Sequence, residues 1–138
     1  MDIIRLQGEA PELYAMVAHL VMNKDVLASN NNYPFRTSAE HVWFIARDDN
    51  GETCGFAPVL LKDTKATVNN YYVKADDEKI LCTLLDHLTE ALQYDFSIMS
   101  VTQRRHIQAF TRSNFEVIFE WERYVKMLYR PDEQKKRL

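Results

Sequence analysis

Residues 69–92 restrict the fold of this chain more than any other stretch. Tyr71, Tyr72 and Val73 read as the end of a β-strand, and Lys74 to Lys79 leave room only for a tight turn. Ile80, Leu81, Leu84, Leu85, Leu88, Ala91 and Leu92 then recur at the spacing of an amphipathic helix. Asp76 suits the N-cap of that helix, and Asp77 and Glu78 in its first turn complement the dipole. A strand entering a helix through so short a turn sets the helix's unpaired amides at the strand's end. Anionic ligands commonly sit there.

With 138 residues, 46% of them hydrophobic and 27% charged, the chain has the size and composition of one globular core. A single domain over 1–131 is expected, with a polar tail over 132–138. No apolar run is long enough to cross a bilayer, and the N-terminus lacks a signal-peptide layout. A cytoplasmic protein, or one associated with a virion, is the expectation. The net charge of −3 argues against general nucleic-acid binding. That charge is uneven: residues 1–100 sum to −7 and residues 101–138 to +4. A basic C-terminal third on an acidic body favours an anionic protein partner or self-association. Cys54 and Cys82, like the four histidines, lack metal-ligand spacing, so no metal site is expected.

Residues 2–7 form a first strand, ended by Gly8. Pro11 starts a helix expected over about 11–25, and the Ser29–Asn32 run with Pro34 makes a loop. Val42 to Arg47 and Thr53 to Leu61 are strands joined at Asp49-Asn50-Gly51, with Pro58 marking a bulge or an unpaired edge. Ala66 to Val73 reads as one further strand. After the 76–94 helix, residues 96–101 form a short strand expected to lie parallel to the one ending at Val73. A short helix over 103–113 ends at Asn114, and residues 116–129 are strand-like throughout, either as a hairpin turning near Glu122-Arg123 or as one bent strand.

This order of elements resembles the GNAT (Gcn5-related N-acetyltransferase) fold. Tyr71-Tyr72-Val73 before the Leu84-Leu85 helix resembles its central strand and cofactor helix. Gln103, His106-Ile107-Gln108-Ala109-Phe110 and Asn114-Phe115 resemble its next segment, and Tyr124 to Met127 its closing strand. The resemblance implies an α+β sandwich: a mixed, mainly antiparallel sheet with a parallel central pair and helices on both faces. It also implies acetyl-CoA, with the pyrophosphate at the start of the 76–94 helix and Tyr72, Val73, Lys79, Ile80 and Gln103 as the binding positions.

The residues depart from that pattern where the cofactor's charge would lie. The turn Lys74 to Lys79 has no glycine and carries three carboxylates. Phe110 stands where the family places a proton-donating tyrosine, and Gln103 replaces its usual asparagine. His106 and Tyr72 are the remaining candidates for acid–base work, with Tyr71 beside them. The His106-Ile107 region and the chain length also resemble divergent GNAT-like proteins of tailed phages, some of which act in head assembly or in the virion. A GNAT-fold protein without a working cofactor site, acting through protein contacts, is therefore expected; the alternative is an acetyl-CoA-dependent N-acetyltransferase with a rearranged site.

Overall fold

β2 (His41–Arg47) is buried along nearly its whole length, because its two sides feed two separate cores. Val42, Phe44 and Ala46 point into one cluster, Trp43 and Ile45 into the other. A strand covered on both faces reads as a continuous apolar run, as this one does. β1 (Asp2–Gln7) and β3 (Thr53–Lys62) pair antiparallel with it on either side. The β2–β3 turn is held by Asp48, whose Oδ1 accepts from the amides of Asn50 and Glu52, with Gly51 at φ +79°. The structure is a computed structural model and describes residues 1–131; the tail expected over 132–138 lies outside the described residues.

The helix expected over 11–25 is two helices. α1 (Pro11–Val21) stops because Asn23 leaves the helical region and turns its side chain onto the amides of Asp25 and Val26, capping α2 (Lys24–Ser29). Leu13 and Val17 of α1 pack on Trp43, Ile45 and Phe56.

The strand expected over 66–73 is also divided, into β4 (Lys65–Val68) and β5 (Tyr72–Val73). On β3, Val59 faces Val68 and Phe56 faces Tyr72, so three residues, 69–71, stand against Ala57 and Pro58. This is a bulge of one extra residue, and Asn70 takes it up at φ +61°. Proline 58 falls in the interval, where a missing N–H is tolerated. The parallel partner of β6 (Ser97–Gln103) is accordingly β4, from Lys65↔Ser97 to Val68↔Ser100, and not the segment ending at Val73. Beyond Val68 and Ser100 the two strands part.

α3 (Glu78–Leu92) and α4 (Ile107–Arg112) cover the second face of the sheet, where Leu81, Leu84, Leu85, Leu88 and Phe110 are fully buried. Asn114, at φ +70°, turns the chain into β7 (Phe115–Glu120), which forms a hairpin with β8 (Tyr124–Tyr129). The sheet runs β1-β2-β3-β4-β6-β8-β7, with β5 attached to β3. It is an α+β sandwich: a mainly antiparallel sheet with one parallel pair and helices on both faces. β1 and β7 are the two edges.

Candidate functional site

The turn between β5 and α3 is where strand, helix start and sheet opening meet. It contains a single 3-10 turn (Lys74–Asp76) in which Ala75 and Asp76 lie at φ +56° and +51°. Left-handed backbone costs a non-glycine residue roughly 1–2 kcal/mol. The left-handed turn also decides which carboxylate caps the helix. Asp77, rather than the expected Asp76, is the N-cap, its Oδ1 accepting from the amides of Lys79 at 2.8 Å and Ile80 at 3.3 Å. Asp76 points the other way, to Arg105 Nε at 3.1 Å and His106 Nε2 at 3.0 Å.

His106 is 7% exposed and bonded through both ring nitrogens. Its Nδ1 lies 2.7 Å from the hydroxyl of Tyr71, which itself accepts from the Gln103 amide at 3.2 Å. A carboxylate only accepts, so Nε2 carries the proton toward Asp76 and Nδ1 accepts from Tyr71. The order Asp76–His106–Tyr71 is that of a proton relay. Burial holds the His106 pKa below its ordinary value against the opposing pull of Asp76. Burial pushes the Asp76 carboxyl up, but hydrogen bonds from Arg105 and His106 overcome this and leave it below the usual range. Burial raises the Tyr71 phenol well above its ordinary value. At neutral pH the relay is therefore carboxylate, neutral imidazole and neutral phenol.

Arg105 extends the network. Its guanidinium donates to Asp76, to the Ser29 carbonyl and to the Gln103 side-chain oxygen. Gln103 Nε2 reaches Asn30 Oδ1 at 3.4 Å, and Asn30 Nδ2 donates to Asn70 Oδ1 at 3.0 Å. These side chains fill the space between the parting strands. On one side a cavity of about 190 Å³ remains, lined by Asp76, Glu78, Leu81, Arg105, His106, Gln108 and Ala109. On the other, one of about 230 Å³ is lined by Tyr33, Asn69, Asn70, Val101 and Tyr124.

His106 and Gln103 are brought into one network. Tyr72 is not: it packs on Phe56 in the α1-side cluster, on the opposite face from its neighbour Tyr71. Val73 is buried in the α3-side core, and Ile80 lies against it close to Gly55. Lys79 is exposed and reaches the site only through its capped amide. Phe110 is fully buried and meets the Tyr71 ring at 5.3 Å between centroids. The Asp76–Arg105 pair, 29 residues apart, and Asn30–Asn70, 40 apart, carry no local pattern that sequence periodicity reads.

A pyrophosphate at this helix start needs the amides of Lys79 and Ile80, and Asp77 occupies both. Asp76 and Glu78 flank the position. Like charges about 4 Å apart cost roughly 4 kcal/mol near a protein surface, and Arg105 and Arg112, paired with Asp76 and Glu78, offset only part of that. The residues present do not fit the cofactor's pyrophosphate in this arrangement.

A sandwich with a parallel strand pair that parts beside a helix start is an architecture also found in solved acyltransferases. The chain has the GNAT fold. ElaA of Escherichia coli superimposes with a TM-score of 0.72 at 14% identity, over 94% of this chain and 100% of that one. The aminoglycoside 6'-N-acetyltransferase of Enterococcus faecium gives 0.70 at 13%, over 96% and 100%. An acyl-CoA N-acyltransferase of Pseudomonas aeruginosa gives 0.69 at 13%, over 94% and 100%. No family model and no curated protein sequence matches the chain. Among the described residues, no helix is long and apolar enough to cross a membrane.

Proposed function

We propose that this chain is a GNAT-fold protein whose acetyl-CoA site has been closed, and that it works through protein contacts as a phage head-assembly or virion accessory protein. The observation that carries the loss of the cofactor is the carboxylate of Asp77 on the amides of Lys79 and Ile80. The relay supports it: Asp76, His106 and Tyr71 satisfy one another and occupy the opening between β5 and β6. For protein contacts the support is the β7–β8 hairpin, where Val117, Ile118 and Phe119 of the edge strand and Trp121 of the turn are exposed, the last two with their rings in contact. Contiguous apolar surface of this kind marks interaction sites. The phage setting rests on the resemblance around His106-Ile107 and on the chain length. Calorimetric titration with acetyl-CoA tests the reading: no heat of binding is expected, and a micromolar dissociation constant overturns it.

A second reading has one observation in its favour. Tyr71 holds a phenol against Phe110, so a proton donor does stand near the place where the family's tyrosine is missing. An N-acetyltransferase built on Tyr71 would require the Asp77 cap to open, and would show thermal stabilisation by CoA that Tyr71→Phe leaves intact while abolishing turnover.

A further inference from the structure

Two apolar features are left open among the described residues, and they lie toward opposite edges of the sheet. The first is the tip of the β7–β8 hairpin, where Trp121 is exposed on a fixed backbone. Its amide donates to the Tyr124 carbonyl at 2.8 Å, and the Arg104 guanidinium donates to its carbonyl and to that of Glu122. The second is a cavity of about 360 Å³ beside β1 and β2, walled by Leu13, Val17 and Val21 of α1 with Phe35 and Trp43. Tyr14 also lines it and is exposed, with its hydroxyl 3.5 Å from the sulfur of exposed Met22.

We propose that this cavity takes the Trp121 side chain of a second copy of the chain, so that copies join head to tail. The proposal rests on the reading of the hairpin as a protein-contact surface and names its partner. The polar groups inside the cavity are already engaged: the Trp43 indole N–H donates to Thr37 Oγ1 at 2.9 Å, and that hydroxyl donates to the Gly8 carbonyl at 2.6 Å. What remains is apolar wall and one acceptor, the carboxylate of Glu9. It is the one charged lining residue, and its side chain makes no hydrogen bond among the described residues. An indole matches this pattern: a flat apolar body with a single N–H that donates and nothing that accepts. The chain has two tryptophans, and Trp43 is itself buried in the cavity wall. Trp121 is the other. The volume lies within the roughly 300–1,000 Å³ of sites that enclose a ring-bearing group.

Charge runs the same way. Residues 8–23, which carry the α1 wall, hold Glu9 and Glu12 and neither lysine nor arginine. Around Trp121, Glu120 is paired with Arg104, which leaves Arg123 and Lys126 against Glu122. The hairpin tip is also set in advance by Arg104, so docking has little left to order, and a tryptophan seated in a pocket is the commonest kind of anchor at an interface. Since tip and cavity lie toward opposite edges of the sheet, each docking leaves a free tip at one end and a free cavity at the other. Contacts between unlike surfaces propagate in this way.

Sedimentation of the full chain between about 10 µM and 1 mM tests it. The weight-average mass is expected to rise past that of a dimer. Trp121→Ser, and Val21→Phe, which fills the cavity, each weaken association by about 10- to 30-fold. Glu9→Ala, at an exposed position that holds the test open should Val21→Phe not fold, weakens it by about 3- to 10-fold. An equal mixture of Trp121→Ser and Val21→Phe is expected to form a dimer and nothing larger, because one variant keeps the cavity and the other the tip. A chain that stays monomeric at about 1 mM, or stops at a dimer, overturns the proposal. So does association that Trp121→Ser leaves unchanged, or a mixture of the two folded variants that stays monomeric. A monomeric chain leaves the hairpin open to a different protein, so that result and a failure of the protein-contact reading are distinct, and the acetyl-CoA titration is independent of both.

Discussion

The turn into α3 and the β7–β8 hairpin are opposites in how they use their side chains. In the turn, the polar groups are spent on one another: Asp77 on two amides, Asp76 on Arg105 and His106, His106 on Tyr71, Glu78 on Arg112. On the hairpin, Glu116 and Glu120 are paired with Arg130 and Arg104, while Phe119 and Trp121, their rings 5.1 Å apart, have chiefly each other. A self-satisfied polar cluster resists a ligand, because every new contact must first break an old one. An exposed apolar strand has no such debt. That difference is the ground for proposing protein contacts at the edge of the sheet rather than a ligand in the opening beside α3.

The sharpest way to break this contrast is Tyr71→Phe. It strands the Gln103 amide and removes a partner from His106 inside the core, and a loss of about 1–3 kcal/mol is expected in denaturant unfolding. A loss near zero would mean that the relay is not the rigid plug described. Asp77→Ala should cost about 1 kcal/mol of helix capping by the same measurement. Acetyl-CoA affinity should stay undetectable in that variant, because Asp76 and Glu78 remain.

The pH dependence separates the members of the relay. His106 has a folded pKa below its unfolded value, so the unfolded chain takes up the proton first. Stability is complete above about pH 6.5 and declines as pH falls toward the folded pKa. Asp76 is also depressed, and its contribution is present above about pH 4 and lost as pH falls through its folded value. Urea midpoints measured from pH 8 downward should show the first decline, and His106→Gln should reduce it to the part left by His41, whose pKa burial also lowers. The smallest effect belongs to the hairpin. Phe119→Ser with Trp121→Ser should leave the unfolding free energy within about 0.5 kcal/mol of the original, while reducing hydrophobic-dye binding. A large loss of stability would show that the strand is internal packing after all.

The sandwich was legible because its signals are local or periodic: the alternation that feeds two cores from β2, the Asp48–Gly51 turn, the apolar stripe of α3. Two boundaries were not. Asn23 ends α1 by a side-chain cap in the middle of an otherwise helical run, and nothing in the apolar spacing marks it. The bulge at 69–71 shows only in the pairing with β3. The acidic, glycine-free turn was legible as chemistry, yet its two aspartates exchange the roles that residue type suggests, because backbone handedness at Ala75 and Asp76 decides which one faces the amides. His106 was visible as a candidate. Its partner was not Tyr72 but Tyr71, a matter of strand parity rather than composition.

That parity follows from the bulge. A sheet counts its residues in twos, and Ala66 and Val68 face the α3 side; an even count would send Asn70 and Tyr72 there after them. The odd residue absorbed at 69–71 reverses the count, so that Tyr71 and Val73 face α3 and Tyr72 faces away. Two neighbouring tyrosines thus have separate fates, one a buried link to His106 and the other a plain packing residue, and a single added position in the chain assigns them.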